Sequence, residues 1–316
     1  MNEINLLRTH GPDAPEASTE TLRLARERLA REFAAASVRR TVPPLRRRTL
    51  LVAAAATVVA GAGVGLAVRP LDPAEPLTLV AATIPEFPLT LRSRPATLSP
   101  PRYSYAPGQF LAVFLSRSTT DDVYLLVGES RPAPIATSSR PVAVAGRPAE
   151  MYEEPYPGGP REHVVSWERR PGQWVSLTGH GRFADDAALL RLAEHLVDEP
   201  QQVPLRIRLA PRGWRVAWFK NDTILTLQGD SPDETLTVQV VPRRDPDLLL
   251  NVMGAREERR VTVGGREARL IRADEMWFLQ AEVTGGAVVN LQAPLRLSAD
   301  QVVAIAEQIS VTPRRP

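Results

Sequence analysis

Apolar positions recur along this chain in three different ways, and each predicts a different kind of element. Leu22, Ala25, Leu29, Phe33 and Ala36 fall three and four residues apart, which is the period of one helical face. Ser18 or Thr19 stands where an N-cap belongs, and Arg23 with Glu27, Glu27 with Arg31 and Arg28 with Glu32 are spaced as i,i+4 pairs. Val42-Pro43-Pro44 ends that helix. From Leu50 to Val68 the polar positions vanish altogether, in nineteen residues without a charge (LLVAAAATVVAGAGVGLAV) between Arg46-Arg47-Arg48 and Arg69. Nineteen residues make a helix of about 28 Å, close to the ~30 Å hydrocarbon core of a bilayer. The expectation is one N-terminal transmembrane helix retained as a signal anchor. A buried core helix would carry a polar face, and a cleaved signal peptide a shorter leader and apolar run.

The third pattern is alternation, and it occurs twice. Val142-Ala-Val-Ala-Gly-Arg-Pro-Ala-Glu-Met151 matches Val261-Thr-Val-Gly-Gly-Arg-Glu-Ala-Arg-Leu270. Both read as a strand, a glycine turn at Gly146 or Gly265, and a second strand, a VxVxGRxA hairpin. Gly172 to Leu177 aligns with Gly286 to Leu291, Arg182-Phe183 with Arg296-Leu297, and Leu111 to Val127 can be laid on Ile224 to Val240. Each copy closes on helical spacing, with Leu189, Leu192, Ala193 and Leu196 in the first and Val302, Ile305, Ala306 and Ile309 in the second. Ser298 with Gln301 has the form of a capping box. This predicts an α+β class, in which each repeat is an antiparallel sheet followed by one amphipathic helix. The expected organisation is an arm over 1–48, the span over 49–69, a Pro-rich stalk over 70–102, and two tandem repeats over 103–200 and 201–316.

Charge orients the expected span. Residues 1–48 hold ten arginines against six acids, a balance of +4, so the remainder of a chain with net charge +3 carries −1. By the positive-inside rule the N-terminus is cytoplasmic and residues after about 69 are extracytoplasmic, in a cell-membrane protein whose basic arm lies against the lipid bilayer. The high pI then reports topology and gives no reason to invoke nucleic acid. Gly61 and Gly65 form one GxxxG, a candidate homodimer contact between transmembrane helices. Arginine outnumbers lysine 38 to 1, Lys220 being the exception, which suggests a GC-rich bacterial coding sequence. There is no cysteine, hence no disulfide or thiolate chemistry.

Candidate chemistry is sparse. HExxH, GxSxG, SxxK, CxxC and the phosphate-binding loop pattern do not occur, so no catalytic residue, cofactor or metal ligand is assigned and no enzymatic activity is expected. His10, His163, His180 and His195 are scattered, and His195 falls on the polar side of a helix. Asp121-Asp122, Glu153-Glu154 and Asp185-Asp186 sit at turns or helix starts, where capping explains them. The five tryptophans all follow residue 160. Trp214 and Trp218 flank GWRVAWFK, a basic and aromatic stretch that could be a binding edge. Trp214, Val216 and Trp218 also alternate as inward residues of a strand would, and core packing is the simpler reading.

The opening MNEINLLR, the Arg/Glu/Ala/Leu helix, the triple arginine, the Ala/Val/Gly span and the tryptophan-bearing repeats resemble a group of uncharacterised one-pass membrane proteins of high-GC Gram-positive bacteria. Their layout is similar to that of membrane-bound anti-sigma factors, although the HxxxCxxC motif of the zinc type cannot occur in a chain without cysteine. The resemblance implies a short cytoplasmic region that holds a regulatory partner such as a sigma factor, and an outer domain that senses the envelope. The leading expectation is a non-enzymatic protein whose outer domain binds or senses an envelope ligand. A regulator gripping a partner through the stripe Leu22, Ala25, Leu29 and Phe33, within residues 19–36, is the second. A tethered envelope carrier or folding factor, which needs an apolar cavity between sheet and helix, is the third.

Overall fold

A computed structural model describes residues 77–116, 121–132, 139–154 and 162–313. The predicted arm with its stripe, and the uncharged run Leu50–Val68, lie outside the described residues. Among the described residues no helix is long and apolar enough to cross a membrane, and the expected transmembrane architecture is corrected to that extent.

Pro70–Pro316 forms one compact unit. The chain enters through two short strands, β1 (Leu79–Ala81) and β2 (Thr90–Leu91). The first repeat supplies β3 (Arg102–Ala106), β4 (Gln109–Phe114), β5 (Val123–Gly128), β6 (Arg140–Val144), β7 (Arg147–Glu154), β8 (Glu162–Arg170) and β9 (Gln173–Gly179), then helix α1 (Asp186–Glu194) and β10 (Leu196–Val197). Two connecting strands follow, β11 (Leu205–Ile207) and β12 (Leu209–Pro211). The second repeat supplies β13 (Arg215–Lys220), β14 (Ile224–Gln228) and β15 (Thr235–Val241), a one-turn helix α2 (Leu248–Asn251), β16 (Ala255–Val263), β17 (Arg266–Ala273), β18 (Met276–Glu282) and β19 (Val288–Pro294), then helix α3 (Ala299–Glu307) and β20 (Ile309–Val311).

The repeats do not form two sheets. Fourteen strands join in one antiparallel sheet of order β16-β17-β18-β19-β15-β14-β13-β3-β4-β5-β9-β8-β7-β6. Read outward from the centre, 13-14-15-19-18-17-16 mirrors 3-4-5-9-8-7-6, so a pseudo-twofold axis passes between β3 and β13. There Phe219 pairs with Tyr105, and the left-handed Asn221-Asp222 turn after β13 locks the seam. The Asp222 carboxylate accepts from Tyr103 N at 3.1 Å, and Asn221 N donates to Ser104 Oγ at 3.0 Å. Among the described residues strand takes 53% and helix 11%, with three helices, so the α+β class is corrected to mainly β. The physical reason is size: a nine-residue helix covers only part of a seven-stranded half-sheet, and strands and connecting segments supply the rest of the core.

One face of the sheet carries that core. Leu125, Val165, Val175, Leu236, Val238, Leu279, Val289 and Leu291 are fully buried on it, beneath Leu189 of α1 and Val302, Ile305 and Ala306 of α3. Asp185 caps α1 by accepting from Ala188 N at 2.9 Å, and Ser298 with Gln301 closes a complete capping box on α3. The VxVxGRxA hairpins turn through two residues with positive φ, Ala145-Gly146 and Gly264-Gly265, the backbone of a tight primed turn. Their shared arginine is structural, because Arg147 donates to the Arg169 carbonyl (2.5 Å) and Arg266 to the equivalent Val283 carbonyl (3.4 Å).

The Pro-rich stretch is not a stalk where it is described. β1 pairs with β12, β2 pairs with β10, and Ile84, Phe87, Leu89 and Leu98 are buried in the common core. Proline removes backbone donors but leaves the intervening apolar side chains free to pack, and these took that route.

Candidate functional site

The outward face of the second repeat departs most from what packing requires. On β13 the register runs Val216 opposite Leu227, then Trp218 opposite Thr226, then Phe219 opposite Leu225, so Ala217 is an extra residue in a β-bulge. The bulge breaks the alternation. Val216 and Phe219 pack toward the core, whereas Trp218 faces outward and is 39% exposed, which corrects the expectation that it points inward with Trp214 and Val216. Bulges commonly re-aim a side chain in this way.

From Trp218 a row of cross-strand partners crosses the sheet. Thr226 pairs with Thr237 and Thr237 with Gln292, while beside them Gln239 pairs with Asn290 and Asn290 with Gln280. The Thr226 and Thr237 hydroxyls lie 3.0 Å apart. Gln280 donates to Asn290 Oδ1 at 2.9 Å, and its own oxygen accepts from Asp245 N at 2.9 Å. Gln239 and Gln292 are exposed, Thr237 and Asn290 half-buried, and Thr226 and Gln280 buried. The strip itself is uncharged, with Lys220 at one margin and Arg269, opposite Gln280, at the other. On β16 and β17 the exposed positions carry Arg256, Glu257, Arg259, Arg260 and Arg272.

At the far side of this repeat α2 presents a small apolar knob. Leu248 and Val252 are buried against Ile271 and Phe278, while Leu250 and Met253 are 84% and 72% exposed. The loop is fixed by Arg269 Nη1, which donates to the carbonyls of Asp245 (2.9 Å) and Pro246 (3.1 Å), and by Asn251, which donates to Asp245 Oδ2 at 2.8 Å. The hydrogen bond from Asn251 foremost, and then that from Asp247 N at 2.9 Å, hold the Asp245 carboxyl below the usual carboxylate range.

Two other places gather polar groups. A cavity of about 110 Å³ lies between the entering segment and β3, with Phe87, Leu89 and Tyr103 in its walls beside Arg94 and Gln201. It is well under the ~300 Å³ at which ligand pockets begin. At the start of α1, His163 Nδ1 lies 2.8 Å from Asp186 Oδ1, Arg140 pairs with the other carboxylate oxygen, and Glu153 stands 3.9 Å from His163 Nε2. Burial raises the Asp186 carboxyl, but the hydrogen bonds from His163 and Arg140 outweigh it and hold the group below its usual range. His180 is lowered by burial, with Asp122 pulling it part of the way back. No group of three or more potential ligands that could hold a metal ion occurs among the described residues.

The other sequence candidates take structural places. His195 is the exposed C-cap of α1. Asp122 accepts from Ser116 N at 2.7 Å, and Asp121 from Arg182 N at 3.1 Å. Trp167 and Trp277 are buried, Trp214 packs against the core, and Trp174 lies under the Arg131 guanidinium at 5.3 Å. Sequence reasoning missed the strip because its side chains come from four strands. The available signal was Thr, Gln and Asn at alternate positions of otherwise apolar strands, ILTLQ, TLTVQVV and VVNLQAP.

Compared with known proteins, the sequence matches no family model and no curated protein.

Proposed function

We propose that this domain is a non-enzymatic binding or sensing module and that it engages its ligand on the outward face of the second repeat. The observation that carries this reading is the bulge at Ala217, which turns a tryptophan out of a core-facing series and sets it at the head of an uncharged, hydrogen-bonding strip. Placing a large aromatic at the surface forgoes burial worth about 2 kcal/mol, and contact with a ligand recovers it. The carrier reading is disfavoured, because side chains fill the space between sheet and helix in both repeats and the cavity beside β3 is too small for a lipid. The regulator reading rests on residues 19–36, outside the described residues, and no feature of the domain favours it.

A fragment screen read by ligand-observed NMR tests the proposal. Binders are expected to lose their signal with Trp218→Ala and to keep it with Leu250→Ser and with Arg94→Ala. Binders indifferent to Trp218→Ala and lost in Arg94→Ala would move the site to the cavity and refute the reading.

A further inference from the structure

Resting on that reading, we infer that the outward strip of the second repeat is a subsite for a neutral oligosaccharide. The first argument is charge. A phosphorylated or acidic ligand calls for unpaired arginines or lysines converging on it, and the strip has Lys220 at one edge and, opposite Gln280 at the other, Arg269. Of the arginines that continue its row on β17 and β16, Arg269 is tied to Glu258 and Arg260 lies 3.6 Å from Glu267. A surface kept merely soluble would follow the rest of this chain, which is 24% charged, and its exposed strand positions would carry Arg and Glu as β16 does.

The second argument is hydrogen-bond chemistry. Side-chain amides and hydroxyls both donate and accept, which is what a sugar hydroxyl requires of its partner. Trp218 supplies the remaining element, a broad apolar plate with a polar edge, onto which the C–H face of a pyranose ring can stack. From Trp218 through Thr226 and Thr237 to Gln292 is three strand spacings, about 14 Å, the footprint of a short oligosaccharide lying across the strands. Thr226, Thr237 and Asn290 are already held by hydrogen bonds within the sheet, so little side-chain freedom is lost when a ligand arrives.

The duplication supplies the third argument. The positions of the first repeat equivalent to Thr226, Thr237, Gln239, Asn290 and Gln292 are Val113, Tyr124, Leu126, Ser176 and Thr178. The inward neighbours keep the same chemistry in both copies, Leu125 with Val238 and Leu177 with Leu291, all at most 1% exposed. The fold therefore constrains these inward positions in both copies. The amides appear on one copy only, beside the bulge that exposes Trp218.

The test is isothermal calorimetry of the full chain with cellohexaose, maltohexaose and fully acetylated chitohexaose. At least one is expected to bind. Trp218→Ala should weaken it tenfold or more, Asn290→Ala and Gln292→Ala several-fold each, and Trp218→Phe should retain part of the affinity. Thermal scans that leave each variant's midpoint within a few degrees of the parent exclude unfolding as the cause. Failure of all three sugars overturns the inference. If an uncharged peptide then binds in a Trp218-dependent manner, the saccharide assignment has failed while the outward face stands as the site. Sugar binding insensitive to Trp218, Asn290 and Gln292 overturns both.

Discussion

Leu279 sits at the centre of β18, in register between Leu270 on β17 and Leu291 on β19, and none of the three is more than 1% exposed. Replacing it with alanine removes a branched side chain held from both sides by strands locked in a hydrogen-bonded ladder, so the gap cannot close by collapse. The cost belongs in the upper half of the range for buried leucines, about 3–4 kcal/mol, a large share of the 5–15 kcal/mol that stabilises a typical domain. The diagnostic point is where the loss is felt. One sheet and one core cluster run through both repeats, so the domain should unfold as a unit and Leu279→Ala should destabilise the first repeat equally. Hydrogen exchange is the assay. The slowest amides of β5, β8 and β9, all in the other repeat, should lose two to three powers of ten of protection, while calorimetry shows one transition lowered by about 10 °C. If those amides keep the parent's protection, or the transition splits in two, the repeats are tandem domains and the seam between β3 and β13 does not couple them.

Trp277 donates from Nε1 to the Leu297 carbonyl at 2.8 Å in the core, so Trp277→Phe should cost about 1–3 kcal/mol in urea at unchanged slope; a loss under half a kilocalorie would show that the bond contributes little. Asp186 has a folded value below its unfolded 3.8, so its contribution is fully present above that value and is lost as pH falls through the folded one. Asp186→Asn should therefore be less stable than the parent at neutral pH, with the difference shrinking in acid; a constant gap across pH would refute the linkage. Deleting Ala217 leaves Trp218 opposite Thr226 and Phe219 opposite Leu225, so the variant should fold with Trp218 still quenched by acrylamide. A variant that cannot fold would show that the bulge itself is needed.

The parts of this fold that were legible in the sequence are local. The hairpins showed through Gly146 and Gly265 because a two-residue turn needs positive φ, and the cap on α3 through Ser298 and Gln301 because both partners lie within one turn. What escaped depends on partners far apart in the chain. Leu79 pairs with Pro211 and Leu196 with Leu91, and proline density alone made that stretch read as a stalk. The fusion of the repeats rests on Phe219 meeting Tyr105, which no periodicity announces. Alternation carried straight through Ala217 points Trp218 inward, and one extra residue inverts every assignment after it. His163 and Asp186 are 23 residues apart, so their contact has no i,i+4 signature.

The duplication separates what folding demands from what it leaves free. At the helix start His163 in one repeat and Trp277 in the other occupy equivalent places and do comparable work, one holding Asp186 and the other the Leu297 carbonyl. Unlike residues there meet a single structural need. On the outward face of the central strands the two copies differ in kind, since Val113, Tyr124 and Leu126, with Tyr124 against His180, give way to Thr226, Thr237 and Gln239. The exposed amide of Gln239 has no counterpart in the first repeat and is free to make a contact beyond the fold. This difference falls beside the bulge that exposes Trp218, which is why the second repeat, and not the pseudo-twofold pair, carries the proposed site.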